Sequence, residues 1–495
     1  MSAGTFTVGS DSLGREGASV RLLAANVVLS GFAAWAVPGN RVGLGVLLVA
    51  AGIVSVVVWA GSVPLRLDNA AYGCLALALA SMSALRSAEW LLVLDGFAAA
   101  ALAAFAVAGA RTWMEVRRAP LVVTSRAAEA IPFLGRGVRR LTAGRSFSPA
   151  LRGIGVGAIL LAAFGGLFVS ADRAFSQLTR DYLVPDIDIA LLPARAMVFV
   201  LVAVSATGLV LAGPQLAHLG PPRLLPARHA AIPDRGGGER RGRRGLAPIE
   251  WLLALGLLDL LFVAFVAVQI TVLFAGHDYV LRTAGLSYAE YARRGFFQLL
   301  AAAALTLAVV AGASRWATTN RVRDARVLKV LLGVLLLLTL VVLASALRRL
   351  LLYEQAFGFT RLRVSVHAVI VWLAGLLVLV MAAGALRRAR WLPRAVVLFT
   401  AVAMLVFNAA NPDALVANRN LARFAETGRI DLSYLAGLSP DGVPALSELP
   451  PRLRACVFEP HAGLLTEPDP WPAWNLGRAR ARAVLEQTTE LSCST

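Results

Sequence analysis

The sequence predicts an all-α fold, a polytopic membrane helix bundle of about eleven transmembrane helices with a small helical extracytoplasmic domain at its C-terminal end. Three observations lead there. Of 495 residues, 58% are hydrophobic and 16% charged, where soluble domains carry about 45–50% and about 25%. Mean hydropathy is +0.70, and apolar runs long enough to span a bilayer recur along the chain. These runs are continuous and lack the two-residue alternation of a β-barrel, the other fold that satisfies its backbone in lipid. An ordinary soluble enzyme, a disulfide-dense secreted module and a disordered chain are excluded.

The elements follow in order. Runs at 22–38, 42–62, 71–86 and 90–110 form an N-terminal membrane region, 1–110. The first twenty residues are polar and lack the apolar core of a signal peptide, so the first membrane helix is expected to target the chain. A basic loop spans 111–152. Within it, 120–147 has helical character and several arginines, and fits either the anionic inner leaflet or a solvated loop. The membrane core, 153–410, carries runs at 153–171, 195–214, 251–275, 296–314, 328–347, 364–386 and 393–410. It is interrupted near 223–247 by the low-complexity stretch PDRGGGERRGRRGL, read as a disordered cytoplasmic linker.

The tail, 411–495, reads as short helices. Asn411 stands at a cap, Pro412 at the first helical position and Asp413 in the first turn. SPDG punctuates two further short helices. WPAWNLGRARARAVLEQ reads as a final amphipathic helix with Trp474 and Leu476 toward the core.

Loop charge sets the orientation. Segments 111–152, 215–249, 315–329 and 387–394 together hold 25 basic and 5 acidic residues. The alternating segments 171–195, 276–294 and 348–363 hold 10 and 7, and the tail holds 8 and 10. The N-terminus and the Arg-rich loops are therefore expected in the cytoplasm, with the tail outside. The formal net charge of +19 is read the same way. Its arginines set topology, and nucleic acid is not an expected partner. Lys329 is the single lysine. Of three cysteines, Cys74 lies in an apolar run, while Cys456 and Cys493 lie in the extracytoplasmic tail and are expected to form a disulfide.

Polar groups inside apolar runs are costly and mark candidate sites. Asp95 and Asp259 are the intramembrane acids, with Gln269 ten residues beyond Asp259. Such carboxylates suit ion coupling, or a plain buried hydrogen bond to a neighbouring helix. In GHDYVLRTAGLSYAEYARRGFFQ, Ser287 and Glu290 make a capping box, and Tyr288, Tyr291 and Phe296 suit a membrane interface. His277, Arg282, Arg293 and Arg294, with Asp278 and Glu290 as acid–base groups, could form a pocket for an anionic headgroup. Asp186 and Asp188 form a D-x-D, a weak candidate for a divalent metal. Glu354 sits among aromatic and basic residues beside the tight aromatic turn Phe357-Gly358-Phe359-Thr360. No P-loop, Rossmann fingerprint, nucleophile elbow or HExxH occurs, so no cofactor is expected.

The segments GLSYAEYARRGFFQL (285–299), FGFTRLRV (357–364), NPDALVANRNLARF (411–424), LSYLAGLSPDGVPAL (432–446), WPAWNLGRARARA (471–483) and SADRAF (170–175) resemble a family of bacterial multi-pass membrane proteins, domain-of-unknown-function family 4173, close to family 4153. The resemblance covers roughly 150–490. It implies a bacterial cytoplasmic-membrane location and supplies no activity and no catalytic residues. The segments that carry it fall on the side expected outside, so a working surface is expected there. Asn411 and Asp413 join the outer-face candidates on that ground.

Three function classes follow. The first is a non-enzymatic envelope protein that binds an anionic lipid, a lipid-linked ligand or an envelope protein partner. The second is an ion-coupled transporter or lipid flippase using Asp259 or Asp95. The third is a membrane-embedded transferase acting on a lipid-linked substrate.

Overall fold

A computed structural model describes residues 18–62, 66–142, 191–218, 248–274, 296–319, 321–386 and 389–488. The described residues are helical throughout and hold no β-strand, so the chain is an all-α membrane bundle. Seven of the described helices are long and apolar enough to cross a bilayer, and two shorter apolar helices precede them. The expected run at 153–171 and the linker near 223–247 lie outside the described residues. The chain divides into two compact units, Met1–Arg223 with Ala436–Thr495, and Leu224–Leu435.

The first unit contains α1 (Val20–Ala36), α2 (Leu44–Trp59), α3 (Leu67–Leu85), α4 (Glu89–Ala108), α5 (Trp113–Thr142) and α6 (Leu192–His218). Short connections make α1 to α4 two successive antiparallel hairpins. Leu29 and Ala33 of α1, Val49 and Val57 of α2, Val202 and Leu209 of α6 and Phe133 of α5 form one buried cluster. Asn26 of α1 donates to Thr207 Oγ1 (2.6 Å) and to the Ala203 carbonyl (3.2 Å), so the polar amide buried in the α1–α6 seam is satisfied. The basic segment after α4 is a helix of 30 residues rather than a loop. Its small and aromatic positions Ala119, Ala130 and Phe133 recur on one face and are buried, while Arg117, Arg118, Arg139 and Arg140 stay exposed. Burial of that stripe holds a helix that contains Pro120 and Pro132.

The second unit contains α7 (Pro248–Phe274), α8 (Phe296–Trp316), α9 (Val322–Phe357), α10 (Arg361–Ala385), α11 (Leu392–Ala409), α12 (Pro412–Thr427) and α13 (Leu432–Ala436). α9 is 36 residues long, about 54 Å at 1.5 Å per residue, well beyond a hydrocarbon core of about 30 Å. Its end therefore carries polar side chains past the apolar run. Leu336, Leu343 and Leu350 of α9 pack with Val266, Ala303, Ile370 and Leu377 as the core. Thr339 donates to Thr306 (3.2 Å) between α9 and α8. Ser345 (2.9 Å) and Arg349 (2.6 Å) both donate to Gln269 Oε1.

The rest of the tail belongs to the first unit: α14 (Val443–Leu446), α15 (Pro451–Phe458), α16 (Gly463–Thr466) and α17 (Leu476–Glu486), with 3-10 turns before α14, α16 and α17. Tail residues 411–435 thus pack with one unit and 436–488 with the other.

Candidate functional site

In the second unit, two tail elements seat on the α9–α10 turn. Asn411 caps α12 by accepting from the Ala414 amide (3.3 Å), at a φ of 50° that asparagine tolerates better than most residues. That cap starts α12 so that Asp413, fully buried, meets Arg361 in a two-pronged pair. Nε donates to Oδ1 and Nη2 to Oδ2, each at 2.7 Å. The Arg361 amide donates to the hydroxyl of Tyr434 on α13 (2.7 Å). Asn420 clamps the turn from the other side. It accepts from the Phe359 amide (3.1 Å) and donates to the Phe359 carbonyl (2.9 Å). Gly358 between them has φ 79°, and a Cβ there would press on Asn420 Oδ1, so the turn requires glycine.

Glu354 and His367 lie behind this lock. The Glu354 carboxylate is fully buried and 3.3 Å from His367 Nδ1, which also contacts the Arg363 carbonyl at 3.2 Å. Arg363 stacks 4.4 Å over the Tyr353 ring and donates to the Gly358 carbonyl. A carboxylate–imidazole couple can move a proton, and a bidentate Arg–carboxylate pair fixes geometry.

In the first unit, the tail supplies caps that the membrane hairpins lack. Asp441 accepts from the amides of Ser87 (2.7 Å) and Ala88 (3.1 Å) at the start of α4. Asn475 donates to the Ser83 (2.9 Å) and Arg86 (2.6 Å) carbonyls at the end of α3. The Leu44 amide, at the start of α2, donates to the Trp474 carbonyl (2.9 Å). Arg478 donates through Nε to Asp469 (2.9 Å), and through Nη2 to the carbonyls of Val42 (3.0 Å) and Ala473. Helix ends leave orphan amides and carbonyls that need such partners.

A cleft of about 180 Å³ lies between these caps, lined by Arg41, Glu89, His461 and Arg478 among others. Burial pushes His461 below its ordinary value of 6.5, so its ring is neutral at neutral pH. Its Nε2 is buried without a hydrogen-bond partner among the described residues.

Of the residues singled out in the sequence, His277, Asp278, Arg282, Glu290, Arg293, Arg294, Asp186 and Asp188 lie outside the described residues. Asn411 and Asp413 meet the α9–α10 turn as a cap and a buried pair. Asp95 is buried in α4. Asp259 is buried on one stripe of α7 with Leu255 and Val266, and both of its oxygens lack a hydrogen-bond partner among the described residues. Cys456 stands on α15, Cys493 lies outside the described residues, and Cys74 is a free thiol. Among the described residues, no group of three or more His, Cys, Asp or Glu side chains could hold a metal. Trp474 is exposed rather than turned to the core. The buried place is taken by Asn475, whose amide the α3 carbonyls require.

The Glu354–His367 couple, Asn420, Asp441 and Arg478 were not predicted as site residues. Glu354 was visible as an acid among aromatics, but nothing in sequence paired it with a residue thirteen positions on.

Residues 73–449 match the family described as Domain of unknown function (DUF4153). The chain belongs to this family. It is the neighbour of the family that the outer-face segments resemble, and the match covers most of the chain without supplying an activity. No curated protein and no solved structure matches. For this DUF4153 protein, function rests on the chemistry of its own residues.

Proposed function

We propose that this DUF4153 protein is a non-enzymatic binding or accessory protein of the bacterial cell envelope. It sits in the cytoplasmic membrane with its N-terminus inside, and works at the extracytoplasmic face on an anionic lipid or lipid-linked ligand. The observation that carries the reading is the seating of the tail. In each unit taken alone, tail segments are fixed by buried polar and charged side chains to helix ends away from the Arg-rich segments. Ordering a tail in this way is costly in conformational entropy, and a rigid polar surface over membrane helix ends suits recognition at the headgroup level. His277, Asp278, Arg282, Glu290, Arg293 and Arg294 complete the proposed surface, with an envelope protein as a further partner.

Native mass spectrometry of the protein, extracted gently from its own membrane, tests this reading. A specific co-purifying lipid or lipid-linked molecule, lost in an Arg293→Ala/Arg294→Ala variant, is the expected result. Bulk lipid alone in the wild-type protein overturns it.

A second reading, ion-coupled transport or lipid flipping, is favoured by one observation. Asp259 is buried in a spanning helix with no hydrogen-bond partner among the described residues. Intramembrane carboxylates are costly, and by default each is a functional-site hypothesis. If Asp259→Asn and Asp95→Asn both leave function intact, this reading fails.

A further inference from the structure

The cleft of the first unit is built on the α1–α2 and α3–α4 turns, at the N-terminal end of α4, a helix long and apolar enough to cross a bilayer, and is lined from the tail by Pro440, His461 and Arg478. Arg478 of the cleft wall donates to the carbonyl of Ala473 in the WPAW segment, and three tryptophans of this unit are exposed. Trp35 on the last turn of α1 is 49% exposed, Trp471 51% and Trp474 42%. Trp471 stacks on Phe32 (6.1 Å between centroids) and packs tilted against Trp35 (5.4 Å). Tryptophan at the end of a membrane helix seats in the headgroup layer. The aromatic patch is continuous with the lipid-facing side of α1, where Val27 and Val28 are exposed. The WPAW segment of the tail therefore rests in the bilayer interface, and the cleft opens at headgroup depth.

The charges in the cleft are of two signs, and two of them are available. Among the described residues Arg41 forms an ion pair with Glu467 alone, at 3.6 Å and with both side chains exposed, a contact worth little. Glu89 is exposed and has no ion-pair partner among the described residues. Arg478 is already satisfied by Asp469 and two carbonyls, so it stiffens the wall. His461 adds a neutral imidazole with an unsatisfied Nε2. A guanidinium and a carboxylate on one small cleft match a ligand carrying a phosphate and an ammonium together. A purely anionic group would meet Glu89 unfavourably.

We infer that this cleft seats the zwitterionic headgroup of an amine-bearing phospholipid, with Arg41 on the phosphate, Glu89 on the ammonium, and Trp35, Trp471 and Trp474 against the glycerol and upper chains. This rests on the outer-face binding reading and adds, to a surface otherwise read as taking anionic ligands, one site of the first unit for a zwitterionic lipid. The same chemistry could come from a lipid or from a soluble aminoalkyl phosphate, and the tryptophans favour the lipid.

The test uses the full chain in nanodiscs, with phosphatidylethanolamine, phosphatidylglycerol and phosphatidylcholine titrated as probes and native mass spectrometry as readout. Phosphatidylethanolamine should bind in preference to the other two. Arg41→Ala and Glu89→Gln should each weaken it about tenfold, the loss of one charge-assisted contact. Trp471→Ala/Trp474→Ala should weaken the lipid and leave free phosphoethanolamine unaffected. Equal binding of the three lipids, or no response to Arg41→Ala and Glu89→Gln in variants that retain the wild-type melting temperature, overturns the inference. So does free phosphoethanolamine binding as tightly as the lipid. A native ligand that co-purifies but is indifferent to Arg41 and Glu89 leaves the outer-face reading standing and removes only this site.

Discussion

Asp441 and Ser87 are 354 positions apart and cap each other. The Asp441 carboxylate accepts from the Ser87 amide at 2.7 Å, and the Asp441 amide donates to Ser87 Oγ at 3.0 Å. This is the reciprocity of a capping box, divided between a membrane hairpin and the tail. It ties the start of α4 to residues that the chain makes near its end.

Asp441→Ala should therefore destabilise the first unit by about 1–2 kcal/mol, the cost of a lost N-cap. Gly477→Ala should act at the same place, because a Cβ at Gly477 would collide with the Asp441 carboxylate. Thermal unfolding in detergent, and faster proteolytic release of the 436–488 segment, are the readouts. Unchanged melting in both variants would show that the cap contributes nothing.

The Arg361–Asp413 pair carries a separate expectation. Arg361→Ala leaves the fully buried Asp413 carboxylate without its partner and should cost about 3–5 kcal/mol. In a double-mutant cycle with Asp413→Ala, the second change should cost far less than it does alone. Additive effects would mean that the two groups are not coupled.

Much of the fold was legible in the sequence, and the helix ends show why part of it was not. The runs at 364–386 and 393–410 became helices at Arg361–Ala385 and Leu392–Ala409, because apolar length and bilayer thickness decide them together. The run at 328–347 became Val322–Phe357. Hydropathy stops at Arg348, but the helix continues through Arg349 and Glu354, whose partners Gln269 and His367 come from other helices. The Asn411 cap could be read because a cap acts three residues away. The Asp441–Ser87 cap could not, since no local pattern links a serine before α4 to the tail. Amphipathic spacing puts Trp474 toward the core, whereas its side chain is exposed, because at a membrane interface a tryptophan can face outward.

Acid should loosen the tail through His461. Burial holds its folded value below 6.5, so below that pH the unfolded chain binds a proton that the folded chain refuses. Stability from this group is complete above the unfolded value and falls as pH drops toward the folded one, by at most about 1.4 kcal/mol per pH unit. Melting temperature followed from about pH 7.5 to 5 should decline, and His461→Gln should flatten the decline. A slope unchanged in His461→Gln would assign it to other groups.

The proposed Cys456–Cys493 disulfide is checked by alkylation. With the chain denatured but not reduced, Cys74 should take up the reagent and the other two thiols should not. After reduction all three should react. Three reactive thiols before reduction would contradict both the bridge and the oxidising location that it implies.

An outward-facing tail can be tested directly, because the chain holds a single lysine. Lys329 is the single lysine and is exposed at the start of α9, while Arg480 is exposed on α17. An Arg480→Lys variant keeps the charge and adds one amine. Intact cells treated with a membrane-impermeant amine reagent should label position 480, with Lys329 labelled only after permeabilisation. Labelling of Lys329 in intact cells, with position 480 protected until the membrane is opened, would invert the topology and place the tail in the cytoplasm.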